Sequence, residues 1–188
     1  MVPVPLMSLA IPIVLSAVIV FVASSIVHMV LPYHHGDLKK VPREDDVQTA
    51  LRGFSIPPGN YALPCVSSPS EMKSPAFLEK MNKGPVVLMT VSPAGPPSMG
   101  KSLGQWFVYL LVVSLFAGYI ASRALGPGAH YLSVFRFVGA SAFMAYGLGN
   151  ISTAIWYRRS WSTTCKDVFD GLLYGLLTAG TFGWLWPR

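Results

Sequence analysis

Residues 6–31 read LMSLAIPIVLSAVIVFVASSIVHMVL, a run that contains no Asp, Glu, Lys or Arg. A helix needs about 20 predominantly apolar residues to cross the ~30 Å hydrocarbon core of a bilayer. The run exceeds this length and therefore predicts a membrane-spanning helix. It is also longer than the apolar core of a usual signal peptide, and no basic residue precedes it, so we expect the helix to stay uncleaved.

Three more long apolar stretches follow, at residues 103–125, 132–156 and 168–186. With the first stretch they predict an all-α transmembrane bundle of four membrane-spanning helices, called here spans 1 to 4. Charged residues make up only 12% of the chain, against about 25% in soluble domains, and this deficit is typical of a membrane protein. The predicted organisation is span 1 in residues 1–32, an insertion with its connector in 33–102, and spans 2 to 4 in 103–188.

The insertion between spans 1 and 2 is predicted to be a small soluble α+β unit. Its order is helix, strand, helix, strand, at residues 44–52, 61–66, 75–83 and 85–91. Acidic residues in the first turn favour the first helix, while a proline at the start and a glycine after the end favour the second. The last segment, PVVLMTV, is rich in β-branched residues and is the strongest strand candidate.

Flanking positive charges predict the orientation of the spans, because cytoplasmic loops carry an excess of Lys and Arg. Four spans put both termini on one side, where only Arg123, Arg188 and the slightly internal Arg136 are basic. The basic residues near span ends on the other side are Lys39, Lys40, Arg43, Lys101, Arg158, Arg159 and Lys166. We therefore expect a multi-pass protein of a bacterial inner membrane, with the long loop cytoplasmic and the termini outside.

Two cysteines, Cys65 and Cys165, lie on the predicted cytoplasmic side. In that compartment both are expected to be reduced thiols. The opposite orientation would expose them to oxidising conditions, where a disulfide between them becomes an alternative.

Small residues recur every four positions along span 4. They are Gly171, Gly175, Ala179 and Gly183. Small side chains at this spacing let helix backbones approach closely, which favours helix association in lipid. The stripe therefore predicts close packing, either inside one four-helix bundle or between copies in a homo-oligomer.

Two polar residues lie inside the predicted spans at similar depth, Asn150 in span 3 and Asp170 in span 4. We expect them to contact each other, with Arg158, Arg159 or Lys166 neutralising the carboxylate. Ionisable groups inside a membrane are costly and need partners. The pair predicts a polar clasp between spans 3 and 4, and the alternative is a proton or ion relay.

A polar cluster follows span 1 and consists of His28, His34, His35 and Asp37. Imidazole and carboxylate groups are suitable ligands for zinc and related ions. However, His34 and His35 are adjacent, and the spacing matches no common metal motif. The cluster is either a metal site or an interfacial polar group that meets lipid head groups.

No catalytic motif is convincing in this chain. Gly95 and the sequence Gly100-Lys101-Ser102 match the spacing of a phosphate-binding loop, but two prolines between them remove the N–H groups that would hold phosphate. The net charge of +6 is not concentrated in one run, so it does not indicate nucleic-acid binding. We expect no cofactor.

The favoured function is therefore a non-enzymatic scaffold, accessory or assembly subunit. Its expected partners are the lipid bilayer and either a second copy of the chain or another membrane protein. Two alternatives stay open. One is a small oligomeric transporter or channel lined by Asn150, Asp170 and Thr178, and the other is a metal-binding membrane protein that uses the histidine cluster after span 1.

Overall fold

A computed structural model describes residues 3–188 as a mostly helical protein with one small two-stranded sheet. The helices are α1 (Ala10–Met29), α2 (Glu44–Gly53), α3 (Pro75–Lys83), α4 (Met99–Ala124), α5 (Tyr131–Tyr146), α6 (Ile151–Tyr157) and α7 (Trp161–Trp184). The strands are β1 (Gly59–Leu63) and β2 (Val87–Val91). The chain forms two compact units. One is the insertion Lys39–Pro97, and the other, called the helical unit, joins the segment ending at Leu38 to Ser98–Arg188.

The helical unit is a closed ring of four long helices. Helix α1 packs against α4 and α7, and α5 also packs against α4 and α7. The inward positions are apolar or small, and they include Val20, Leu110, Val138, Ala142 and Phe182, all fully buried. Many outward positions are large and apolar, among them Ile11, Phe116 and Phe137.

Three helical segments are long and apolar enough to cross a membrane. They are Leu6–Met29, Met99–Ala124 and Tyr131–Tyr157. Helix α7 is not among them, although it contains 24 residues. Its sequence is less apolar because its buried side includes threonines and Asp170.

Span 3 was predicted at residues 132–156, and the structure has a helical segment long and apolar enough to cross a membrane at Tyr131–Tyr157, although that segment is interrupted. Helix α5 ends at Tyr146, a 3-10 turn covers Leu148–Asn150, and α6 continues to Tyr157. Gly147, at the break, has φ −108° and ψ −61°, away from ordinary α-helical values. A glycine has low helix propensity, and this one lies directly against the backbone of α7 at Gly171.

Backbone contacts define one end of the bundle, called the terminal end. There the Gly128 N–H donates to the Pro187 carbonyl at 2.8 Å, and the Trp186 indole donates to the Gly126 carbonyl at 3.0 Å. The Arg123 guanidinium also donates to the Val4 carbonyl at 3.4 Å. The beginning of the chain, its end and the α4–α5 connection therefore meet at the terminal end.

The insertion contains its elements in the predicted order, helix, strand, helix, strand. Strands β1 and β2 are antiparallel, with Gly59 opposite Val91 and Leu63 opposite Val87. Strand β1 stops at Leu63 rather than continuing to residue 66, because Pro64 has no N–H to donate to a ladder. Helix α3 begins after Ser74, whose hydroxyl accepts from the Phe77 N–H at 3.2 Å.

Candidate metal centre

A group of charged and aromatic side chains lies at the other end of the helical unit, called the polar end. It joins the segment that follows α1 to the first half of α7. The segment after α1 reaches α7 because a 3-10 turn at Pro32–His34 changes the direction of the chain. Pro32 favours the end of α1 just before it, since the residue before a proline avoids helical geometry.

His34 lies between two carboxylates. Its Nδ1 is 2.6 Å from Asp37 Oδ2, and its Nε2 is 2.8 Å from Asp170 Oδ2. The His34 side chain is only 9% exposed, and that of Asp170 only 4%. A buried carboxylate needs hydrogen-bonding partners, and the Tyr33 hydroxyl supplies a second one by donating to Asp170 Oδ1.

Lys166 holds the segment after α1 from the α7 side. Its ammonium group donates to Asp37 Oδ1 at 2.6 Å and to the Tyr33 carbonyl at 2.5 Å. Asp167, the next residue in the sequence, forms a separate ion pair with Arg159. Each carboxylate at the polar end therefore has a cationic or hydrogen-bonding partner.

These contacts change the proton affinities of the groups outside the spans. Hydrogen bonds from Lys166 and then from His34 lower the pKa of Asp37 to about 2. Burial opposes protonation of His34, but its bonds to Asp37 and Asp170 outweigh that effect and raise the His34 pKa above its ordinary value. Burial and the bond to Asp170 raise the pKa of Tyr33 well above its usual range.

His28, on the last turn of α1, completes a trio of potential ligands. Its ring centroid lies 4.5 Å from that of His34. One ligand atom from each of His28, His34 and Asp170 falls within 4.8 Å of the other two. Two imidazoles and one carboxylate are a donor set that zinc and several other divalent ions accept.

The structure brings together only some members of the predicted histidine cluster. His28 and His34 are together, and Asp37 lies behind His34 on the imidazole nitrogen that faces away from Asp170. His35 is exposed and does not belong to the trio. Asp170, which the sequence placed in a different cluster, takes the third position.

The predicted contact between Asn150 and Asp170 is wrong. The Asn150 side-chain amide donates to the Tyr146 carbonyl at 3.0 Å, where it covers a carbonyl left free by the end of α5. Asp170 turns instead to Tyr33 and His34. The predicted neutralisation of Asp170 by a basic neighbour on the same hairpin is also not observed, because Lys166 and Arg159 pair with other aspartates.

The small-residue stripe of α7 lies directly against α5. A Cβ added to Gly171 would come within 2.4 Å of Gly147 Cα. One turn on, a Cβ on Gly175 would come within 3.2 Å of the backbone nitrogen of Phe143. The first distance lies far below ordinary contact and the second is tight, so α5 and α7 approach backbone to backbone beside Asp170.

The same contact continues towards the terminal end. A Cβ on Gly139 would lie 3.1 Å from the Ala179 Cβ, and one on Gly183 would lie 2.7 Å from the Tyr131 ring. The stripe is therefore covered within a single chain. A homo-oligomer of this protein would have to use another surface.

A cavity of about 330 Å³ opens beside the trio. His28 and Asp170 form part of its wall, and the rest comes mainly from aromatic and polar side chains, namely Trp106, Tyr109, Tyr146, Asn150, Arg159, Asp167 and Tyr174. The cavity lies within the helical unit, so the three potential ligands border a space large enough for a small molecule.

Comparisons with protein-family models, with curated proteins and with solved structures find no significant match to this chain. The site must therefore be interpreted from its own chemistry.

Sequence reasoning missed the contributions of Tyr33 and Tyr174, and it assigned Lys166 to Asp170 instead of Asp37. Asp170 did carry a usable signal, because an ionisable residue in a predicted apolar span is by default a functional candidate.

Proposed function

We propose that this protein binds a divalent metal ion at the polar end of a four-span membrane bundle, through His28, His34 and Asp170. The single observation that carries the proposal is the proximity of these three ligand atoms, all within 4.8 Å of one another. Two of the three residues are separated from Asp170 by more than a hundred positions in the sequence, so only the fold brings them together.

The surroundings of His34 suit a metal ligand. A ligating histidine usually donates its other ring N–H to a carboxylate, which fixes the ring and increases its basicity. Asp37 stands in this position, 2.6 Å from Nδ1, and leaves Nε2 for the ion. Zinc bonds of about 2.0–2.2 Å set tetrahedral ligand atoms about 3.4 Å apart. An ion that replaces the 2.8 Å hydrogen bond between His34 and Asp170 would therefore move these two ligand atoms apart by about 0.6 Å.

The rival explanation is a purely structural ion-pair network. A protonated His34 and Lys166 would balance the charges of Asp37 and Asp170, so the network is neutral without any metal. Such a clasp would tie the segment after α1 to α7. It makes no use of His28, whereas the metal proposal requires it.

The deciding experiment is metal analysis of the full chain purified in detergent, after incubation with Zn²⁺ and removal of free ion. We expect one zinc per chain, and none in His34→Ala or His28→Ala. The matched control is His35→Ala, which removes the exposed neighbour and should keep the zinc. Equal zinc contents in His34→Ala and His35→Ala, or no zinc in the unaltered protein, would overturn the proposal.

The four-span organisation is part of the same proposal. Helix α7 has 24 residues, which at 1.5 Å per residue is about 36 Å, enough to cross the hydrocarbon core. Its outward side carries exposed Phe169, Leu172 and Leu176. Val4 and Pro187, near the two ends of the described chain, also lie together at the terminal end of the bundle. An even number of membrane-spanning helices requires this arrangement.

The sidedness stays a prediction from the charge count, with the insertion in the cytoplasm of a bacterial cell and the termini outside. Cys65, which is exposed in the insertion, gives the test. A membrane-impermeant thiol reagent should leave it unlabelled in intact cells and label it after the membrane is opened. Labelling in intact cells would reverse the orientation.

A second candidate function, the accessory or scaffold role, is favoured by one observation. No residue between 39 and 97 is buried in the single chain, although the insertion includes apolar side chains such as Leu51, Phe54 and Leu78. We expect amides of this unit to exchange with solvent more slowly in native membranes than in the purified protein. Equal exchange in both would remove the support for a partner on the insertion.

A further inference from the structure

One buried tyrosine on the wall of the cavity has a hydroxyl group without a hydrogen-bond partner. Tyr174 lines the cavity and is 4% exposed. In the part of the chain that the structure describes, its hydroxyl makes no hydrogen bond. A buried polar group left unpaired costs about 1–3 kcal/mol, so this hydroxyl indicates that something polar belongs in the space beside it.

The other two tyrosine hydroxyls on this wall have polar groups beside them. The Tyr146 hydroxyl lies beside the hydroxyls of Ser114 and Thr178. The Tyr109 hydroxyl donates to the Ala145 carbonyl at 2.9 Å. Tyr174 therefore carries the tyrosine hydroxyl on this wall that is left without a partner.

The coordination of the ion points to the same space. Three protein ligands leave at least one position open on a zinc-like ion, and an open position is typical of sites that bind an exchangeable ligand. Because His28 and Asp170 are both part of the cavity wall, the open position faces the cavity.

Charge decides the chemistry of the occupant. A divalent ion, two carboxylates and Lys166 leave one net positive charge at the centre, while Arg159 and Asp167 neutralise each other. A small anion with an oxygen donor would balance this charge and accept a hydrogen bond from the Tyr174 hydroxyl.

We infer that the cavity binds a small monoanionic oxygen ligand, which coordinates the metal ion and accepts a hydrogen bond from the Tyr174 hydroxyl. This inference rests on the metal site proposed above. The chemical class includes small carboxylates and hydroxamates. The cavity volume of about 330 Å³ lies at the lower end of the range for small-molecule pockets, so it has ample room for such a ligand.

The test uses the full chain loaded with Co²⁺, whose visible absorption reports its coordination, and acetohydroxamate as the probe. The probe should change the Co²⁺ spectrum with saturation. Tyr174→Phe should weaken the probe at least about tenfold, as expected for the loss of a hydrogen bond to a charged group, without changing Co²⁺ affinity. The matched control, Tyr109→Phe, should bind the probe as the unaltered protein does.

Failure of the inference and failure of the metal site give different results. If Co²⁺ binds but the probe leaves its spectrum unchanged, or if Tyr174→Phe and Tyr109→Phe bind the probe equally, the oxyanion site is overturned and the metal site stands. If no Co²⁺ binds to the unaltered chain, both are overturned.

Discussion

Replacing Gly171 by alanine tests the close approach of α5 and α7 that positions Asp170. The new Cβ would lie 2.4 Å from Gly147 Cα and 2.5 Å from its nitrogen, against 3.4–4 Å for an ordinary contact. Because the opposing atoms are backbone, no rotamer change relieves the clash, and the helices must separate by about 1 Å. Overpacking of this kind costs about 1–3 kcal/mol, and backbone opposition puts Gly171→Ala at the upper end.

The matched control is Gly180→Ala, on the same helix. Its Cβ would meet nothing closer than the Tyr131 hydroxyl at 3.8 Å. Alanine is favoured over glycine in a helix by about 1 kcal/mol, and this gain applies to both variants. We therefore expect Gly180→Ala to be up to ~1 kcal/mol more stable than the unaltered protein, and Gly171→Ala to be ~2 kcal/mol less stable.

The assay is reversible unfolding of the full chain in mixed micelles with increasing denaturing detergent, followed by tryptophan fluorescence. The difference between the two variants should be about 3 kcal/mol, or roughly a hundredfold in the unfolding constant. The gain in helix propensity is the same in Gly171→Ala and Gly180→Ala, so the difference between their free energies of unfolding reports only the clash at Gly171. A difference below about 1 kcal/mol would refute the reasoning.

Three further predictions concern the bundle and its orientation. Ser114→Ala removes a buried hydroxyl that lies 3.0 Å from the Ser16 hydroxyl on α1. The loss should lower the free energy of unfolding by about 0.6 to 1.7 kcal/mol. An unchanged free energy of unfolding in the same assay would mean that the two hydroxyls form no hydrogen bond between α1 and α4. Trp106→Phe removes the indole bond to Ser24, 2.9 Å long, and should cost about 0.5–1.5 kcal/mol plus lost packing, whereas no loss would exclude that bond. Cys65 should react with an impermeant thiol reagent only after the membrane is opened, and reaction in intact cells would place the insertion outside.

Much of the fold follows from local sequence properties. Residues 6–31 and 103–125 are apolar for longer than any soluble helix requires, so their helices were predictable from length alone. In the insertion, Pro75 and Gly84 mark the ends of α3 in the expected way. The start of α7 was not predictable, because its first turns, WSTTCKDVFD, are too polar to continue an apolar pattern, and the helix there depends on contacts at the polar end.

The site was predictable only in parts. His34 and Asp37 are three residues apart, and the sequence grouped them correctly. Asp170 was assigned to Asn150, since both lie at a similar depth on neighbouring spans. The sequence could not show that the chain turns at Pro32 and brings His34 to Asp170. The contact between these two side chains joins residues that are 136 positions apart.

The position of Asp170 along its predicted span was not enough to identify its partners. A single acid in an apolar helix needs partners, and depth predicts only those on adjacent spans. The partners that Asp170 takes, His34 and Tyr33, come from a segment outside the spans. Such segments are placed by turns and tertiary contacts, which single-chain periodicity does not contain.

X-ray absorption spectroscopy of the zinc-loaded full chain tests the central claim most directly, because the ion reports its own ligands. The account predicts a first shell of nitrogen and oxygen at about 2.0–2.2 Å, with the outer-ring scattering of two imidazoles and no sulfur. In His28→Ala the zinc should be lost, and the imidazole scattering with it. A shell that contains sulfur, or one with only oxygen and no imidazole, would contradict the assignment of His28, His34 and Asp170 as the metal centre.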